Sequence, residues 1–153
     1  YKFANNSKIA GFMTDGFPHP YKPEDAERFI NMATANDPVN IFAISVEGEA
    51  AGGIGIHLQH DIYRKNAELG YWLAEPFWGK GIVTKAVLQM KDYAFANFDI
   101  SRLFARPFHT NIASQKVLQK AGFTLEATLR NSIYKQNEYL DEIIFSCLRP
   151  GLK

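Results

Sequence analysis

The chain has 153 residues, 46% of them hydrophobic and 14% aromatic, which suits one domain around a single core and argues against disorder. Formal net charge is +1 with no basic block, so polyanion binding is disfavoured, while a small anionic ligand would need only local positive groups. A lone cysteine makes no internal disulfide, and neither a signal peptide nor an apolar run near 18 residues is present, so a soluble cytoplasmic chain is expected, with no membrane or nucleic-acid partner.

The chain starts at Tyr1 without Met, in what reads as the middle of an element, so an N-terminal piece is expected to be missing. Residues 1–10 read as a helix end. Phe17-Pro18-His19-Pro20-Tyr21 is irregular, because each proline restricts the residue before it. Pro23 opens a helix with Glu24 and Asp25 at its positive end, an apolar stripe of Ala26, Phe29, Ile30 and Ala33, and a stop at Asp37-Pro38. Residues 41–47 and 51–58 read as a hairpin turning at Gly48. Residues 67–74 form the next strand, with Leu69, Tyr71 and Leu73 on one face and Glu68, Gly70 and Trp72 on the other.

The spacing of Ile82, Ala86, Val87, Met90, Tyr93 and Ala94 predicts a helix over 80–97. A short strand at 102–107 and a helix at 111–121 follow, the helix entered through Thr110-Asn111 and stopped by Gly122. Strands at 123–129 and 139–148 close the chain, separated by a polar stretch around Gln136-Asn137; Cys147 reads as a buried residue of the last strand. The order predicts a mixed sheet flanked by helices.

Between the strand at 67–74 and its following helix lies Trp78-Gly79-Lys80-Gly81-Ile82. Glycines let the backbone approach a ligand closely, and the first amides of the helix lack internal partners at its positive end. The turn therefore reads either as a phosphate cradle or as an ordinary strand–helix connection. It has neither the GxxxxGK[ST] nor the GxGxxG spacing of nucleotide-binding loops.

Three segments, AELGYWLAEPFWGKGIVTKAV, NIASQKVLQKAGF and LRNSIYKQNEYLDEIIFSCL, stand in an order and at separations that resemble the GNAT superfamily of N-acetyltransferases. More narrowly they resemble its ribosomal-protein N-terminal acetyltransferase branch, the RimJ/RimL-like proteins, from about residue 16 to residue 148. The resemblance implies one α/β domain over residues 1–153, with a mostly antiparallel sheet splayed between the strands at 67–74 and 102–107. It also implies that the chain lacks the family's first strand. Its cofactor turn, Arg/Gln-x-x-Gly-x-Gly/Ala, falls on residues 78–83: Gly81 fills the central glycine, Trp78 replaces Arg or Gln, and Val83 replaces Gly or Ala. By resemblance, the amides of Gly79, Gly81, Val83 and Thr84, with Ile82 and Lys80 in the same turn, hold the pyrophosphate of acetyl-CoA. Backbone groups around Trp72 and Leu73 pair with its pantetheine arm. Asn111 bonds that arm, and Ser114 lies near the sulfur. Many relatives place a tyrosine proton donor seven residues after this asparagine; here that position is Leu118, so Ser114, or a water that it holds, is expected to protonate the departing thiolate.

Attack of an amine on a thioester needs a neutral amine and a polarised carbonyl. An α-amine of pKa about 7.8 is already roughly a tenth neutral at pH 7, whereas a lysine near 10.4 must overcome about 3.4 units, on the order of 4.6 kcal/mol. A strong base is thus less necessary for an N-terminal or amino-acid amine. Glu68 is the first candidate base, acting through water, and Asp141 the reserve. By resemblance, Phe17, His19 and Tyr21 wall the acceptor groove and Tyr134 borders it. His57-x-x-His60-Asp61 straddles a strand end, and surface histidines explain it better than a metal, so no metal is expected. His109 precedes the helix at 111–121 and could approach the cofactor phosphate. The expectation is an acetyl-CoA-dependent transferase acting directly on an amine, as monomer or homodimer; a non-catalytic acyl-CoA-binding module is the alternative.

Overall fold

A computed structural model describes residues 1–152. The elements are α1 (Ser7–Ala10), α2 (Pro23–Ala33), β1 (Ile41–Val46), β2 (Glu49–Leu58), β3 (Asn66–Leu73), α3 (Ile82–Asn97), β4 (Arg102–Ala105), α4 (Ile112–Lys120), β5 (Thr124–Lys135) and β6 (Glu138–Leu148). The six strands make one sheet in the order β1-β2-β3-β4-β6-β5. Every neighbouring pair is antiparallel except β3–β4. Parallel strands need a long crossover, and α3 supplies it.

Glu47 and Gly48, both at positive φ, close the β1–β2 hairpin in the manner of a two-residue primed turn. β2 is buried on both faces from Ala51 to Ile56. The main core joins the sheet to α3 and α4 through Ile56, Leu69, Val87, Met90, Leu103, Leu118 and Phe145. Helix α3 presents Val87, Met90 and Ala94 to it, three of the residues that the helical spacing selects.

Two sequence expectations change here. Residues 130–135 are strand, although their polarity reads as a loop. β5 is an edge strand exposed on most of both faces, so its side chains carry no apolar alternation, and the ladder Ile133↔Leu140, Tyr134↔Tyr139, Lys135↔Glu138 pairs its backbone instead. Gln136 and Asn137, both at positive φ, make the tight turn. On α2 only Ala33 is buried; Phe29 and Ile30 are exposed, so the stripe is a surface rather than a core face.

Candidate active site

The pairing of β3 with β4 runs through Asn66↔Arg102, Ala67↔Leu103 and Glu68↔Phe104 and then stops. Beyond Glu68 the strands part, while β3 remains paired to β2 as far as Leu73. Main-chain groups alternate along a strand between its two neighbours. The Ala74 amide donates to Ala51 and the Asn66 carbonyl accepts from Gln59, so even-numbered residues face β2. Leu69, Tyr71 and Leu73 therefore turn their backbone groups to the open edge. Of the two residues that the resemblance assigns to a strand-like contact, Leu73 presents its main chain there. Trp72 presents its own to β2, and Tyr71 presents its own to the opening.

This open edge leads into the glycine turn. The Trp78 indole N–H donates to the Leu73 carbonyl at 2.7 Å, latching the turn to the end of β3. Gly79 and Gly81 both have φ of +74°, left-handed backbone that L side chains adopt at a cost, and a Cβ added at either would meet nothing within 4 Å. The space above both is open. Gly81 is the N-cap of α3 and offers no side-chain cap, so the amides of Ile82, Val83 and Thr84 lack the partner that serine or aspartate supplies at other helices. The side chains of Ile82 and Val83 pack against the core, and a residue larger than glycine or alanine at position 83 therefore leaves the amides free. Lys80 places its Nζ 5.5 Å from the Phe77 ring centroid, at the same turn.

On one face of β3, the Trp72 indole lies on Gly53, where a Cβ would come within 3.0 Å of its nitrogen. Phe17 meets Trp72 edge-on at 5.8 Å and Tyr21 at 5.2 Å between ring centroids, so the irregular loop and the strand form one aromatic wall. Tyr21 is buried, and burial followed by the charge of Asp25 raises its phenol above the ordinary range. His19 is exposed beside it. Tyr134 packs against Tyr139 with tilted rings at 5.0 Å near the β5–β6 tip, and an ion pair of 2.8 Å from Lys135 to Asp15 holds that tip against the loop carrying Phe17.

Glu68 shares this face. Its carboxylate accepts two hydrogen bonds from Arg106, at 3.1 and 3.0 Å, and Arg106 reaches on to Glu142 at 3.8 Å. Sequence reading missed Arg106 and Glu142, since neither belongs to a recognisable spacing and only the sheet order brings them to Glu68. Burial pushes the Glu142 carboxyl above the ordinary range, Arg106 pulls it back, and Glu68 adds repulsion. Two carboxylates and one guanidinium leave this corner with one excess negative charge when all are ionised.

Opposite them, on the α4 side, Asn111 caps the helix: its Oδ1 accepts from the Ser114 amide at 3.1 Å. Ser114 Oγ lies 2.7 Å from Tyr71 Oη. Tyr71 is largely buried, and burial pushes its phenol up to about 12, against a smaller lowering by Ser114. Leu118, one turn further, is fully buried. Asp141 spends its carboxylate on the Asn131 amide at 2.8 Å, fixing the irregularity in β5. The His109 ring accepts from the Asp141 amide at 3.1 Å, which engages it with β6 rather than with the glycine turn. Cys147 is partly buried opposite Leu103. Among the described residues, no group of three His, Cys, Asp or Glu side chains is set to hold a metal.

Residues 1–124 match the acetyltransferase (GNAT) domain family. The chain belongs to that family. The Bacillus subtilis (strain 168) protein YdaF, named for ribosomal N-acetyltransferase activity, is 33% identical over 67% of this chain and 56% of its own length. The chain thus spans little more than half of that curated relative. The microcin self-immunity acetyltransferase MccE, solved with acetyl-CoA and AMP, is 27% identical at a TM-score of 0.82, covering 97% of this chain and 84% of that one. RimL, a ribosomal-protein alpha-N-acetyltransferase solved with coenzyme A, reaches a TM-score of 0.83 at 22% identity, over 96% of this chain and 85% of that one, a likeness of fold. The sheet opening and the glycine turn described above thus sit in a GNAT frame. No helix among the described residues is long and apolar enough to cross a membrane.

Proposed function

We propose that the chain is an acetyl-CoA-dependent N-acetyltransferase that transfers the acetyl group directly to a primary amine, a protein N-terminal α-amine first and a small amine or amino acid second. One observation carries the reading. The strand ladder opens immediately beside a glycine-bracketed helix start whose amides are uncapped, so a long ligand with an anionic end and an extended arm meets complementary backbone along its whole length. The relative MccE, solved with acetyl-CoA, supports the same ligand.

In this reading the amides of Gly79, Gly81, Val83 and Thr84 bind the pyrophosphate, and Lys80 adds positive charge beside it. The edge groups of Leu69 and Tyr71, with the Leu73 amide, align the arm. Acetyl-CoA supplies the activated acyl thioester. Ser114 Oγ stands beside the sulfur, and Asn111, whose Oδ1 is committed to the helix cap, has its Nδ2 left to donate. The acceptor enters along Phe17, Tyr21 and Trp72, with His19 and Tyr134 at the margin. Glu68 takes the amine proton through water. Two hydrogen bonds from Arg106 orient its carboxylate, and an α-amine of pKa about 7.8 asks less of a base than a lysine near 10.4.

The buried Leu118 favours a second reading, a non-catalytic acyl-CoA-binding module, because it removes one proton donor that relatives use. Thiol release from acetyl-CoA, measured with a panel of N-terminal peptides, amino acids and polyamines, separates the two. Turnover with any amine supports the enzyme. Tight CoA binding without turnover on the whole panel would favour the module.

A further inference from the structure

The Tyr71 and Ser114 hydroxyls form a pair in which either could donate. Ser114 is held at two points: Asn111 accepts from its amide at 3.1 Å, and the Tyr71 hydroxyl lies 2.7 Å from its Oγ. When Tyr71 donates, Ser114 Oγ accepts, an arrangement open to a phenol that burial keeps protonated well above neutral pH. The proton of Ser114 is then left to point away from Tyr71. Tyr71 belongs to the part of β3 beyond the last β3–β4 pair, at the border of the open cleft. We infer that Tyr71 is a positioning residue that turns the Ser114 O–H toward the leaving sulfur, so that Ser114 stabilises the thiolate as it departs.

The inference rests on the acetyl-transfer reading and adds a role for a side chain that reading leaves to packing. As the amine nitrogen bonds to the carbonyl carbon, the carbon–sulfur bond breaks with its electron pair on sulfur. Ser114 donates a hydrogen bond to that sulfur, and Tyr71 keeps its own proton. The amine proton leaves through water, and the thiolate is protonated by solvent after release. No phenolate forms, which is consistent with a phenol far less acidic than a thiol of pKa about 8.5.

The test compares wild type, Tyr71→Phe, Ser114→Ala and the double variant. Tyr71→Phe is expected to lower kcat about tenfold and leave the KM for acetyl-CoA within twofold, with no further loss when added to Ser114→Ala. A readout without turnover uses CoA and desulfo-CoA at pH 9, where a thiol of pKa about 8.5 is mostly ionised. Wild type is expected to bind CoA about fivefold tighter than desulfo-CoA in calorimetry. Both single variants should lose that preference while binding desulfo-CoA like wild type. Should Tyr71→Phe melt below the assay temperature, Ser114→Ala carries the binding comparison alone. Wild-type kcat in Tyr71→Phe, additive losses in the double variant, or equal wild-type affinity for the two compounds would overturn the role of Tyr71. A wild-type chain that binds neither compound would instead overturn the acetyl-transfer reading beneath it.

Discussion

Replacing Gly81 separates the two things that the glycine turn does. Its φ of +74° is left-handed, and an L side chain there costs about 1–2 kcal/mol of backbone strain, with asparagine and aspartate tolerating it best. No neighbour lies within 4 Å of an added Cβ, so steric clash contributes nothing. Gly81→Asn and Gly81→Asp therefore carry nearly the same strain and shape and differ in charge. A carboxylate about 6 Å from one phosphate charge is repelled by about 0.7 kcal/mol at a dielectric of about 80 and about 2.8 kcal/mol at about 20. The CoA dissociation constant of the aspartate variant should then exceed that of the asparagine variant by about threefold to about a hundredfold. Calorimetry at low and high salt checks it, and the gap should narrow as salt screens the charges. Equal affinities for the two variants would refute the cradle, because a charge placed beside a bound diphosphate cannot be silent.

Trp78→Phe removes the 2.7 Å bond to the Leu73 carbonyl and is expected to cost about 1 kcal/mol, a fall of about 2–4 °C in Tm, with a raised KM for acetyl-CoA. Glu68→Gln should lower turnover on α-amines by about ten- to a hundredfold without changing CoA affinity; unchanged turnover would assign Glu68 to holding Arg106 alone. Glu126 is held below the ordinary carboxylate range by Arg102 first and also by Ser146. Its folded pKa lies below its unfolded one, so the stabilisation is present above the unfolded pKa and is lost as pH falls through the folded pKa. Melting curves from pH 7 to pH 3 should therefore show the Tm gap between wild type and Glu126→Gln shrinking toward acid.

Local chemistry settled much of this molecule. The 3.6-residue recurrence from Ile82 to Ala94 made α3, Asn111 set the start of α4 by capping it, and Gly79 and Gly81 marked left-handed backbone, because each signal depends on neighbours within a few residues. The same local signals failed at residues 130–135. An edge strand needs no buried face, so its polarity resembles a loop until β6 is beside it. The exposed stripe on α2 failed in the opposite sense, since periodicity reports a face but not whether anything covers it.

The candidate site divides along the same line. The places of Gly81, Asn111 and Ser114 at helix starts were readable because capping is local. The partnership of Ser114 with Tyr71 spans 43 positions, and that of Glu68 with Arg106 spans 38. Arg106 reaches Glu142 only because β6 lies next to β4. Sequence thus determined the core face of α3 and the capped start of α4. The sheet order decided which hydroxyl faces Ser114, which charge neutralises Glu68 and which backbone edge stays open, because those contacts exist only after distant strands have paired.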